Sequence, residues 1–201
     1  NVRNRCRLFE IPSNISYIIA KPRMQRYIDM SAYIYSIYLK YVSKDDIYVY
    51  SIDEVFINIT SYEKLYGKDA IEIGKMIIED VYKTTGIKAT CGVGSNLFLC
   101  KIAMDIIAKH NCDNIGYLDE KLFKEKLWDY SKLTDFWQIG TGIAKRLNKL
   151  NLYTLKDVAN CDKDILYKEF GVNASFLIDH SNGIDKTTIE EIKNYIPLSK
   201  S

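Results

Sequence analysis

Two adjacent carboxylates, Asp53 and Glu54, interrupt a stretch otherwise written as β-strand. From Ile47 to Thr60 the chain alternates and is rich in Ile, Val, Tyr and Phe, as half-buried strands are. Neighbouring residues on a regular strand point to opposite faces. Two neighbouring carboxylates therefore serve one site only where the backbone bends, and Ser51-Ile52-Asp53-Glu54 predicts a hairpin bend. A solvated acidic turn is the common reading of such a pair. Placing two carboxylates in so apolar a run is costly unless a counter-charge compensates, and a metal ion would do so. Mg²⁺ takes hard oxygen ligands, usually one or two protein carboxylates plus substrate phosphates. Two such ions activate a hydroxyl and stabilise a leaving pyrophosphate.

The surrounding pattern predicts an α+β unit followed by helices. Pro22 to Val42 carries apolar residues three and four apart, with Pro22 suited to a first helical turn. Residues 67–85 read as a second helix. The apolar run Ile87 to Val93 leads into Gly92-Val93-Gly94-Ser95-Asn96 and then a helix from about Leu97 to Lys109, capped by Ser95 or Asn96. Asn114 to Leu118 reads as one more strand. From Asp119 the strand signal vanishes, which places a boundary near 118–120. The tail from Ile192 to Ser201, with Pro197, reads as the start of a linker.

The chain has 201 residues and a formal net charge of only +2, so bulk charge announces no nucleic-acid partner. Its five cysteines form no Cys-x-x-Cys pair, which argues against a disulfide framework or a zinc site and for thiols in a reducing cytoplasm. No stretch reads as membrane-spanning, and the start at Asn1 without Met reads like an excised fragment.

Two glycine turns stand out. Gly92-Val93-Gly94 either lets a strand and helix pack closely or lies near phosphates. On the following helix Lys101, Asp105 and Lys109 are spaced four apart; as surface ion pairs they would contribute only tenths of a kcal/mol. The second turn, Ile139-Gly140-Thr141-Gly142, reads as a tight hairpin between two helices. It either offers backbone N–H groups to a DNA phosphate, aided by Lys145-Arg146, or is an αα-corner whose glycines only permit packing. Thr154 reads as an N-cap. The 16 tyrosines, Cys91 and Cys100 read as packing residues, and His110 and His180 receive no role.

Ser51-Ile52-Asp53-Glu54-Val55-Phe56-Ile57 resembles the signature hairpin of the Y-family, or translesion, DNA polymerases. The helix opened by Pro22-Arg23-Met24 fits the same palm. Cys91 through Ala103 is similar to the family's second strong motif, and Phe136 to Leu150 with Leu152 to Ala159 to the helix-hairpin-helix of its thumb. Asn4-Arg5-Cys6-Arg7-Leu8-Phe9-Glu10-Ile11-Pro12 resembles the bacterial UmuC-like branch of the UmuC/DinB-like (ImpB/MucB/SamB) group.

The resemblance implies an α+β palm, with an antiparallel or mixed sheet and helices on one face, then a small all-helical thumb. Residues 1–20 would end the fingers, 21–118 form the palm, 119–190 the thumb, and 191–201 begin a linker to a little-finger domain. It implies Mg²⁺ in a two-metal site on Asp53 and Glu54, with Glu54 needed for the chemical step. It places Lys109 and Lys101 at the incoming triphosphate, and Gly140, Thr141, Gly142 and Lys145 at DNA. The implied partners are primer-template DNA, damaged template included, a dNTP and, through parts outside this chain, the sliding clamp. The implied setting is SOS-associated DNA repair in the bacterial cytoplasm, with no membrane.

Leu97 stands where the family usually has a basic residue, and Gln138 where it has the first glycine of Gly-Ile-Gly. The family's opening strand, with a further metal-binding Asp, and its little finger lie outside the chain. The expectation is therefore a fragment with little or no polymerase activity and weak Mg²⁺ binding. The competing reading is a non-catalytic DNA-binding module built on the Gly140 hairpin. A nucleotide cyclase is disfavoured by the helical second half and the lack of a Gly-Gly-Asp-Glu-Phe run.

Overall fold

A computed structural model describes residue 2 and residues 6–195. The first half carries α1 (Met24–Tyr38), β1 (Ile47–Val49), β2 (Val55–Ile57), α2 (Tyr62–Tyr66), α3 (Ala70–Thr85), β3 (Cys91–Gly94), α4 (Leu97–Ile102) and β4 (Ile115–Leu118). The second half is helical: α5 (Glu120–Lys126), α6 (Thr141–Lys149), α7 (Leu155–Asn160), α8 (Lys163–Phe170), α9 (Ala174–Ser181) and α10 (Ile189–Asn194).

Local signals explain most of the ends. Asp69 and Glu72 form a reciprocal capping box that starts α3, and Gly86 at φ 74° ends it. Asn96 accepts from the Leu99 amide and starts α4. Thr154 caps α7 as its sequence predicts. Pro22 lies just before α1 rather than in its first turn, because Arg23 is the last non-helical residue. The span read as one helix from 67 divides: α2 ends at Gly67, which takes φ 60°, and α3 begins at Ala70. Beyond Ile102 the helix widens into a π turn at Ala103–Ile107 and tightens into a 3₁₀ turn at Ala108–His110. The tail read as linker begins with α10; residues 196–201, and Asn4 and Arg5 of the amino-terminal motif, lie outside the described residues.

The sheet differs from the single palm sheet implied by resemblance. β1 and β2 pair antiparallel, with Ile47 opposite Ile57 and Val49 opposite Val55. β3 and β4 pair in parallel, with Cys91 opposite Ile115 and Gly94 opposite Leu118. Among the described residues these remain two separate two-stranded sheets. β2 and β3 both line one groove of about 650 Å³, along Val55–Thr60 and Ala89–Asn96.

α4 is seated directly on the parallel pair. A Cβ on Gly92 would overlap the Cys100 carbonyl and the Met104 amide, and one on Gly116 would overlap the Ala103 carbonyl. These glycines let helix and strands approach closely, as the packing reading of the first glycine turn requires. Cys91 and Cys100 lie in this layer, and burial pushes their thiols up to about 11 and about 12.

One apolar cluster runs from Phe98, Leu99, Ile102 and Leu118 through Phe123, Phe136 and Leu147 to Leu155, Leu166 and Leu177. The helical half is thus packed on α4 and β4. A smaller cluster of Phe56, Leu97 and Ile189 holds the β1–β2 hairpin. Leu97 is buried there, which accounts for an apolar residue at that position. None of the tyrosines is fully buried; Tyr48 and Tyr130 pack against the apolar clusters, while other hydroxyls bond at the rim, as Tyr62 does to Asp46 at 2.7 Å and Tyr66 to the Tyr41 carbonyl at 2.6 Å. A phenol keeps its polar tip where a partner or water can reach it.

Candidate active site at the acidic turn

The turn between β1 and β2 is closed by two amides on one carbonyl. Tyr50 and Ser51 N–H both donate to the Glu54 oxygen, at 3.0 and 3.1 Å. The two carboxylates then part. Asp53 is exposed and accepts from Ser51 Oγ at 2.8 Å. Glu54 is half-buried, and both of its oxygens accept from Lys101 Nζ, at 2.9 and 2.8 Å.

Lys101 is the buried lysine of the described residues, and it also meets Asp105 at 2.9 Å. Asp105 in turn holds Lys109 at 2.6 Å. The result is a line of alternating charge, Glu54–Lys101–Asp105–Lys109, along one side of α4 and its π turn. Burial pulls the Lys101 ammonium down, but the bonds from Glu54 and Asp105 outweigh it and hold the group above its ordinary value. Burial likewise pushes Asp105 up, and Lys109 and Lys101 reverse this and hold it low. The i,i+4 spacing was legible as a surface ion pair. Lys101 corrects that reading, because it is buried and its main partner lies 47 residues away.

The donors suit a hard divalent cation. Asp53 and Glu54 offer carboxylate oxygens, and such a cation needs one or two of these plus phosphate oxygens. Among the described residues no group of three or more His, Cys, Asp or Glu converges to complete a site from protein alone. Glu54 already answers the charge of Lys101, so a cation there would share or displace that ammonium.

A model of the impB/mucB/samB family matches residues 1–105, more than half the chain. The chain belongs to this family. Similar relatives include, from Bacillus subtilis, a putative UV-damage repair protein UvrX, 30% identical over 94% of this chain and 44% of its own length. DNA polymerase IV 2 of the same organism is 34% identical over 94% of this chain and 45% of its own length. Among solved structures, a DinB-family error-prone DNA polymerase from Sulfolobus solfataricus is 25% identical, with TM-score 0.71, covering 85% of this chain and 50% of that one. A Dbh ternary complex is 26% identical with TM-score 0.70, covering 85% and 49%. The chain spans less than half the length of these curated relatives.

In this impB/mucB/samB chain the second glycine turn is built unlike the first. It is preceded by a 3₁₀ turn, Leu133–Asp135, and a tight turn closed by the Ile139 amide on the Phe136 carbonyl at 3.1 Å, rather than by a full helix. Gln138 takes the left-handed conformation itself, at φ 68°. Its backbone thus adopts a shape that glycine adopts without strain. A Cβ on Gly140 or Gly142 would meet nothing within 4 Å, so neither glycine is there to permit close packing. Thr141 and Lys145 are exposed at the start of α6, while Arg146 pairs with Glu169 at 2.7 Å and lies over the Phe170 ring.

Three side chains beside the site had no sequence signal. Trp137 Nε1 donates to Tyr50 OH at 3.0 Å, linking the loop before α6 to the acidic turn. His180 is buried and stacks on Phe98 with centroids 4.1 Å apart. These contacts join residues far apart in sequence, where local pattern is silent.

Proposed function

We propose that this chain is the palm-and-thumb portion, 21–118 and 119–190, of a translesion-type DNA polymerase that transfers a nucleotide from a dNTP to a primer 3′-hydroxyl. The observation that carries the reading is the charge line from Glu54 through Lys101 and Asp105 to Lys109. It sets a carboxylate and an exposed ammonium at opposite ends of one network centred on the buried Lys101, which suits a substrate carrying a cation at one end and phosphates at the other. Mg²⁺, held by Asp53 and Glu54 with substrate phosphates, would supply Lewis-acid stabilisation of the transferred phosphoryl group.

The chain's own residues do the rest. Lys101 holds Glu54 in place through both of its oxygens. Asp105 steers Lys109, which exchanges that carboxylate for a triphosphate oxygen when nucleotide arrives. The exposed start of α6, Gly140–Thr141–Gly142, and Lys145 take a DNA backbone phosphate, a positioning contact without sequence reading. The relatives called DNA polymerases and the neighbour described as a ternary complex support this assignment. β2 and β3 line one groove without pairing, so a further strand supplied there in a longer protein would complete one sheet and bring the third carboxylate. Residues 1–201 alone then have little activity.

Primer extension tests the reading. In a longer protein containing this chain, Glu54→Gln is expected to abolish synthesis while DNA binding persists. DNA binding without synthesis in the unsubstituted parent would favour the non-catalytic hairpin module, which the open glycines also suit, and unchanged synthesis in Glu54→Gln would remove Glu54 from the chemistry. Robust extension by residues 1–201 would overturn the inactivity of the fragment.

A further inference from the structure

The β1–β2 hairpin has strands of three residues each, too short to fix its own turn. Its geometry is set by anchors from outside. One is the Glu54–Lys101 ion pair, which must loosen when Glu54 takes a cation. The other is uncharged: Trp137 Nε1 on Tyr50 OH at 3.0 Å, with the two rings edge to face at 5.8 Å. Trp137 also lies 5.7 Å from the Phe56 ring, so it grips both the turn and β2 of the hairpin. It packs against both apolar clusters, that of the hairpin and that of the helical half. Its own ring is backed by His180, near parallel at 6.2 Å. Tyr50 passes the hold on directly, since its amide closes the turn on Glu54.

We propose that Trp137 is a positioning residue for the acidic turn, acting through Tyr50 and keeping the turn in place while Glu54 changes partner. This rests on the reading of Asp53 and Glu54 as cation ligands. Trp137 lies three residues before Gly140, next to the strained Gln138, so the same hold ties the open glycine loop to the turn. A phosphate bound at that loop would steady the carboxylates through one indole.

The 201-residue chain, labelled with ¹⁵N, tests this with Trp137→Phe, Tyr50→Phe and the double variant. Each single change keeps a ring and removes half of one hydrogen bond. Thermal midpoints are expected to stay within a few degrees. Amide exchange at Tyr50 and Ser51 should rise roughly fivefold in either single variant, the scale of one lost hydrogen bond. The Mn²⁺ concentration that broadens the Asp53 and Glu54 amides should rise by a similar factor. The double variant should go no further than either single one, because the pair acts as a unit. Unchanged exchange in Trp137→Phe, or additive effects, would overturn the proposal. If exchange responds but Mn²⁺ leaves Asp53 and Glu54 untouched in the parent chain, the anchor stands and the cation reading falls.

Discussion

The chain carries two Gly-x-Gly turns that look alike in sequence and are opposite in structure. At Gly92 and Gly94 the glycines lie beneath α4, where any added carbon meets main chain. At Gly140 and Gly142 they face open space. The same letters serve a packing joint in one place and an accessible backbone in the other. The difference lies in what lies across from them, which local pattern does not encode.

The largest effect should fall on the buried turn. Gly92→Ala is expected to cost about 3 kcal/mol, the upper end of overpacking penalties. That would lower the thermal midpoint by roughly 6–12 °C. A neutral result in a melting experiment would break the contrast at its stronger end.

Lys101, on the helix that those glycines seat, comes next. Lys101→Met removes the buried ammonium and leaves Glu54 and Asp105 half-buried without it, for an expected loss of about 2–3 kcal/mol by denaturant titration. Lys109→Met, at the exposed end of the line, should cost less than about 1 kcal/mol.

Alkaline pH probes the same layer. Cys91 and Cys100 have an ordinary value of 9.0 and are held up near about 11 and about 12, so the folded chain keeps protons that the unfolded chain sheds. Their contribution is whole below pH 9 and is lost as pH rises through the folded values, by up to about 1.4 kcal/mol per pH unit for each thiol. The raised Lys101 acts in the same direction at higher pH, because its stabilisation is whole below its unfolded value and is lost above its folded one. Asp105, held low, loses its share only as pH falls below the ordinary carboxylate range. Cys100→Ala should flatten the alkaline limb of a stability–pH curve.

The open turn should respond least. Gln138→Gly is expected to stabilise by about 0.5–1 kcal/mol by relieving the left-handed residue. Gly140→Ala should change stability by less than about 0.5 kcal/mol, yet weaken retention on DNA at low salt. A strong loss of stability there would make the two turns alike after all.

Legibility in the sequence followed the same division. The hairpin bend at Asp53–Glu54, the Asn96 and Thr154 caps, β4 and the helical second half are local, and local pattern located them. Side-chain partners were not local. Glu54 finds Lys101, and Trp137 finds Tyr50, across separations that no periodicity reports. The tyrosine spacing suggested packing positions, and Tyr48 and Tyr130 do pack against the clusters, while hydroxyl chemistry keeps Tyr62 and Tyr66 at the rim. The split sheet was invisible too, since strand propensity says where a strand forms and not what it pairs with.

The groove between β2 and β3 also governs how the isolated chain behaves at high concentration. An unpaired edge is a template for any extended backbone, and here two separate two-stranded sheets line one groove. Another copy's frayed segment is as good a guest as a native strand. Expression of residues 1–201 alone should therefore meet concentration-dependent self-association before it meets thermal unfolding, and a short extended apolar peptide supplied in excess should act as a solubilising plug.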